Sequence, residues 1–268
     1  MRLANPFATL YRHRDLVVQF TRREVELRHK GSRLGHFWAL LSPLTMFGLY
    51  LFVFHYVFQG KFGVLPNETT LDFALALFLG LSLFNVIAET LGAAPLLIAN
   101  QPNFVKKVVF PLEVIPFSNV ATSLYHSLLS ILLLLVIAPF SHAGISWGAL
   151  ALPLFLLPLA FIALGLSWGI AAIAVFVRDI NQLIPFISTA IMYGSAIVYA
   201  PNRVPPAILA VLRFNPLLVV IDQARNVVLW HMRPDYGALA YAYGAAVLIL
   251  ALGYLLFSIL RPYFAEVI

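Results

Sequence analysis

NQPNFVKKVVFPLEVIP, residues 100–116, is a short polar and basic island between two long apolar runs. The runs on either side read as membrane helices, and paired lysines in a short loop, Lys106 and Lys107, mark the cytoplasmic side. Pro102, Pro111 and Pro116 each lack a backbone donor, so no uninterrupted helix is expected through the loop. A bent, basic segment held at a membrane surface by two helices suits docking onto another protein. A topological anchor alone fits these residues equally well.

The composition around the island names the solvent. Of 268 residues, 62% are hydrophobic and 10% charged, with a mean hydropathy of +0.91. No ordinary soluble domain hides that much apolar surface, so most of the chain must face lipid. The formal net charge is +6. The basic residues gather at the ends of apolar runs, where the positive-inside rule and anionic lipid place them, so no nucleic-acid partner is expected. There is no cysteine, which excludes disulfides and thiolate metal sites. The first apolar run begins near Phe37, too far from the N-terminus for a cleavable signal peptide.

Residues 1–35 read as an amphipathic helix lying in the cytoplasmic interface. Arg12, Arg14, Arg22, Arg23, Arg28, Lys30 and Arg33 face Asp15, Glu24 and Glu26, while Leu16, Phe20 and Leu27 form a rough apolar stripe that Arg23 and Glu24 interrupt. A solvated basic tail is the alternative. The transmembrane part, residues 36–268, divides into six spans, at about 37–58, 73–98, 114–138, 147–177, 183–199 and 237–260. The fourth is longer than a bilayer needs and must tilt, or bend near Pro153 and Pro158. The proposed inside segments hold twelve Lys and Arg and the outside segments five, counting Arg225 outside, which puts both termini in the cytoplasm.

Residues 200–236 do not read as a simple loop. Pro206–Phe214 and Leu217–Trp230 are apolar and helix-like, yet each falls short of the roughly 20 residues a span needs. Asn215-Pro216 breaks the chain between them. Two short helices dipping into the outer leaflet and back fit best, and a mobile outer loop fits less well. Asp222 and Arg225, three apart, could pair on one helical face.

Nucleotide- and metal-binding motifs are absent. Without G-x-x-x-x-G-K-[ST] the chain cannot hold ATP through a P-loop. The histidines show no metal-ligand spacing, and no H-E-x-x-H occurs. Glu89 is the one carboxylate placed inside a span, a possible intramembrane polar site or a hydrogen-bonded structural residue.

Five pieces in order carry a family resemblance: RREVELRHKGSRLGHFWALLSPL (22–44), NFVKKVVFPLEVIPFS (103–118), FVRDINQLIPF (176–186), NPLLVVIDQARNVVL (215–229) and the terminal RPYFAEVI. Over nearly its whole length the chain resembles the membrane permease of polysaccharide-exporting ABC transporters, which carry O-antigen, capsule or teichoic acid. The resemblance implies an all-α fold with a basic interfacial helix (Arg22, Arg23, Arg28, Lys30, Arg33) and a coupling helix in the 99–113 loop. That helix (Asn103, Phe104, Val105, Lys106, Lys107) would dock on the ATPase, with Arg178 and Asp179 a smaller second contact, and the two short helices before the last span would form an external gate (Asn215, Pro216, Val219, Asp222, Arg225). It also implies a homodimer in the bacterial inner membrane with two copies of a P-loop ATPase subunit, moving a lipid-linked polysaccharide outward. ATP and Mg²⁺ would then sit on the partner, and this chain would be no enzyme. The rivals are a drug or lipid permease, a membrane-embedded glycolipid-processing enzyme, for which the spans offer only Glu89, and a structural scaffold.

Overall fold

The computed structural model describes residues 6–29, 37–57, 61–106, 110–142, 144–201 and 204–268. Among them the chain is all helix, with no strand. Two helices, α1 (Pro6–Arg12) and α2 (Arg14–His29), precede the apolar part. Then come α3 (Trp38–Tyr50), which continues as a π-helical stretch Leu51–Val57, and α4 (Thr70–Ala93), extended by a tight turn Ala94–Leu96. A short α5 (Pro102–Lys106) lies within the island, followed by α6 (Val114–Ile137), α7 (Leu152–Ala174) and α8 (Ile180–Gly194). The chain closes with α9 (Pro206–Leu212), α10 (Pro216–Val228), α11 (Tyr236–Leu260) and α12 (Phe264–Val267).

Among the described residues four helices are long and apolar enough to cross a membrane: Thr70–Leu96, Val114–Phe140, Trp147–Ala174 and Tyr236–Val267. These match the second, third, fourth and sixth expected spans within a few residues, apart from an extension of the last beyond residue 260. A fifth arises if α9 and α10, bent by 100° at their junction, count as one. Of the other two expected spans, the first is helical over Trp38–Tyr50 and Leu51–Val57, close to its expected 37–58. The fifth is the 15-residue α8, about 22 Å at ~1.5 Å per residue. Apolar content fixes which residues prefer lipid but not where a helix stops. In the fourth span Pro153 falls in the first turn of α7, where its missing donor costs nothing, so it opens the helix; Pro158 lies inside.

The central element is α4. Its apolar run is 83% buried, against 17% for the last span, so α4 is surrounded by protein and α11 faces outward. Thr69 and Asp72 start it with a reciprocal capping box. The longest interface joins α7 and α11, and it closes at two glycines. A Cβ on Gly253 would stand 1.9 Å from Gly165 O, and one on Gly165 would stand 2.5 Å from Ile249 O. Only Gly permits this approach, and GLSWG (165–169) supplies the small-residue spacing that lets membrane helices meet backbone to backbone.

Chain direction sorts the bundle into two ends. One holds α2, α5, the starts of α6 and the finishes of α4, α7 and α11. The other holds the starts of α4, α7 and α11 with the finishes of α6 and α10, tied by Ser146 N donating to Val228 O at 3.4 Å.

Candidate functional site

At the first end, α2 docks against α6 rather than lying free. Leu16, Val17 and Phe20 turn inward, and Phe20 meets Phe104 (5.6 Å between ring centres) and Phe110 (5.2 Å), themselves 4.7 Å apart. Phe104 and Val105 therefore anchor α5, while Asn103 and Lys106 are exposed. Phe104 is thus half-buried by its packing within this end. Lys107, Lys30 and Arg33 lie outside the described residues. Arg178 and Asp179 are exposed at the same end. They connect to α5 through α12, which touches α5 and whose Phe264 ring lies 6.2 Å from Phe176.

The sequence reading missed a pair at this end. Glu113, at the N-cap of α6 and 2% exposed, accepts a hydrogen bond from Arg261 at the finish of α11. One oxygen of the pair, Glu113 Oε2, is buried without a bond among the described residues. The available signal was that both residues fall in the stretches carrying the resemblance, LEVIP and RPYFAEVI. Opposite charges at the ends of two spans have few other partners in lipid.

Glu89 is the centre of a polar cluster in the bundle. Arg28 of α2 holds its carboxylate with both arms of the guanidinium, Nη1 to Oε2 at 2.6 Å and Nη2 to Oε1 at 2.9 Å. His126 Nδ1 of α6 lies 3.2 Å from the same Oε2 and 2.6 Å from Arg28 Nη1. A carboxylate at membrane depth demands a cation, and the basic helix supplies it. Arg28 thus departs from the lipid-facing role expected for it. Arg22 keeps an exposed pairing with Glu26 (2.8 Å), and Arg23 is exposed. Beside this cluster, burial on α6 pushes the Glu24 carboxyl up to about 7, opposed by Arg23 and by the Thr122 hydroxyl.

The cluster borders a cavity of about 490 Å³ between α3, α4 and α6. Ser42, Asn85, Ser127 and Ser130 line it with Glu89 and His126. Asn85 stands out, because it is exposed within a stretch of α4 that is otherwise almost wholly buried. The carboxylate was legible in the sequence; the serines and Asn85 were not, since their helix faces become known only when the helices are packed.

At the second end, α10 runs into the bundle against α4, α7 and α11. Arg225, 1% exposed, does not pair with Asp222. Its guanidinium donates to Ala76 O (2.8 Å), Ala196 O (3.0 Å) and Ile197 O (2.6 Å), and it stacks over the Phe62 ring at 4.5 Å. Asp222 instead accepts from Asn226 Nδ2 at 3.3 Å. Arg225 is therefore a core strut, not an outside charge, and it leaves the topology count. Asn215 caps α10 by accepting from Leu217 N (3.0 Å), and its Nδ2 reaches back to Gly194 O (3.0 Å) and Ser195 Oγ (2.9 Å). Pro216 opens α10; Val219 is half-buried and Val220 fully buried. Of the expected gate residues, Val219 and Asp222 border open space, while Asn215 and Arg225 tie the segment to the bundle.

Among the described residues no three His, Cys, Asp or Glu side chains could hold a metal ion. The profile of the ABC-2 type transporter family matches residues 15–229. The chain is 26% identical over 259 residues to the O-antigen export system permease protein RfbA of Myxococcus xanthus, covering 96% of each chain. It is equally 26% identical over 257 residues to a protein of the same name from Klebsiella pneumoniae, covering 95% of each.

Proposed function

Since this chain belongs to the ABC-2 type transporter family, we propose that it is the membrane permease of an ATP-driven exporter. Its cargo is a lipid-linked polysaccharide of the O-antigen class, carried from the cytoplasmic to the outer side of the inner membrane. The permease-named relatives and the four apolar crossings support the transport reading. The observation that carries the polar cargo is the cavity beside Glu89. In lipid, a 490 Å³ space bordered by Asn85, Glu89, His126 and serines must hold water or a polar solute.

In this reading α3 with its π-helical continuation makes the first crossing and α8 the fifth, giving six with both termini in the cytoplasm. The α2 helix lies at the cytoplasmic interface with Arg22 and Arg23 toward lipid headgroups. Exposed Asn103, Lys106, Arg178 and Asp179 form the coupling face for a P-loop ATPase. That partner brings ATP and Mg²⁺, two copies serving a dimer of this chain. The bent α9–α10 pair forms the outer gate. The chain performs no chemistry; it supplies a polar route and a surface that feels the ATPase move.

Deletion of the gene tests the proposal. Surface polysaccharide should vanish while lipid-linked polymer collects inside, and expression of the wild-type chain together with its ATPase should restore it. Unchanged surface polysaccharide after deletion would end the reading.

A further inference from the structure

At the end of the bundle away from α2, a cavity of about 670 Å³ opens between α9, α10 and the start of α11. That volume lies within the ~300–1,000 Å³ of small-molecule sites. Arg213, Asp222, Asn226 and Asp235 give it polar walls, and Trp230 and Tyr241 give it rings.

The lining is arranged by local structure. Asp222 and Asn226, four apart, are neighbours on one face of α10. Their mutual bond leaves Asp222 Oδ1 and Asn226 Oδ1 with no hydrogen bond from the described residues. Asp235 caps α11 through one oxygen, accepting from Gly237 N (2.9 Å) and Ala238 N (3.1 Å), and Gln223 Oε1 fixes it by accepting from Asp235 N at 2.8 Å. Tyr241, 41% exposed, donates its hydroxyl to Phe214 O at 2.5 Å, which holds the ring at the mouth.

This set discriminates among ligands. Phosphate would meet two carboxylates and one guanidinium. An acyl chain would leave four polar side chains dry, at a cost. A sugar hydroxyl both donates and accepts, as the free oxygens of Asp222 and Asn226 and the donors of Arg213 require. The C–H face of a pyranose ring packs on an aromatic ring face. We propose that this cavity is a saccharide subsite for one or two neutral pyranose rings of a glycan chain, held between α10 and α11. It rests on the exporter reading for the source of the glycan, while the chemistry comes from the cavity.

The test uses the full chain in lipid nanodiscs and defined pentasaccharides of glucose, mannose, galactose and rhamnose, with sorbitol as a control. Saturation-transfer NMR with irradiation of protein aromatic protons should mark the ring protons of at least one pentasaccharide and not sorbitol. The double variant Asp222→Ala/Asn226→Ala should weaken that binding at least about tenfold. Tyr241→Leu, which leaves α10 untouched, should weaken it as well and stands in if the double variant does not fold. No transfer to any pentasaccharide, equal transfer to sorbitol, or unaltered binding in the folded variants overturns the subsite. Cells separate the two readings. If surface polymer does not depend on the wild-type chain, the exporter reading fails; if it does, but the double variant exports normally, the subsite fails alone.

Discussion

Arg225 occupies the space that Gly80 leaves: a Cβ at Gly80 would stand 2.2 Å from Arg225 Nη2. A cation deep in an apolar bundle survives because a central helix withholds one side chain and three carbonyls take its donors. One of those carbonyls belongs to Ala196, whose φ of +50° lies in the left-handed region. Arg225 thus holds a strained turn after α8.

Arg225→Lys should destabilise the protein by several kcal/mol, since each buried carbonyl left without a donor costs about 1–3 kcal/mol. Gly80→Val should do comparable harm by displacing the guanidinium. Asp222→Asn should cost much less, because no ion pair with Arg225 is lost. Thermal unfolding in detergent checks the order; equal losses for Asp222→Asn and Arg225→Lys would restore the ion-pair reading.

The bidentate contact between Arg28 and Glu89 should behave as a pair. Arg28→Gln and Glu89→Gln singly should each loosen α2, read as faster amide exchange in residues 14–28. The charge-swapped double variant should recover part of the loss. With Arg28 half exposed, the coupling in a double-mutant cycle should be about 1 kcal/mol. A coupling of zero would return Arg28 to lipid headgroups.

Glu24 gives a pH dependence. Its carboxyl is raised to about 7 in the fold from an ordinary 4.5. Below about 4.5 it is neutral whether folded or not and costs nothing. As pH rises through 7 the folded state must accept a buried charge, so the stability of α2 docking falls across that window. Wild-type unfolding midpoints should drop between pH 5 and 8 relative to Glu24→Gln, whose midpoint lacks that decline. Parallel curves for the two proteins would show that Glu24 does not drive the trend.

The island should divide by side chain. Asn103→Asp with Lys106→Glu alters only exposed groups, so the variant should fold normally yet lose association with the ATPase in co-purification. Phe104→Asp should instead lower the unfolding midpoint, because it puts a charge among Phe20 and Phe110. If Phe104→Asp were stable and merely uncoupled, the packed role of the ring would be refuted.

Gly253→Val should separate α7 from α11 and prevent a stable fold, whereas Gly244→Ala, on the same helix with open space where its Cβ would stand, should be tolerated within about 0.5 kcal/mol. Expression and monodispersity in detergent distinguish the two.

Runs such as 114–138 and 237–260 determined by themselves that the chain is helical, lives in lipid and turns at the basic island, because the cost of exposing backbone and charge to hydrocarbon depends on composition along the chain. The same logic flagged Glu89 and the break at Asn215-Pro216. Only the tertiary structure decided which cation Glu89 receives, that Arg225 faces carbonyls rather than Asp222, that Phe104 is an anchor, and that Glu113 reaches Arg261. The hydrogen-bonded partners lie 28 to 149 residues away, and the ring partners on helix faces that the sequence leaves undetermined. Residue type tells that a buried charge needs a partner; distance in space, set by how glycines such as Gly80, Gly165 and Gly253 let the helices approach, tells which one it gets.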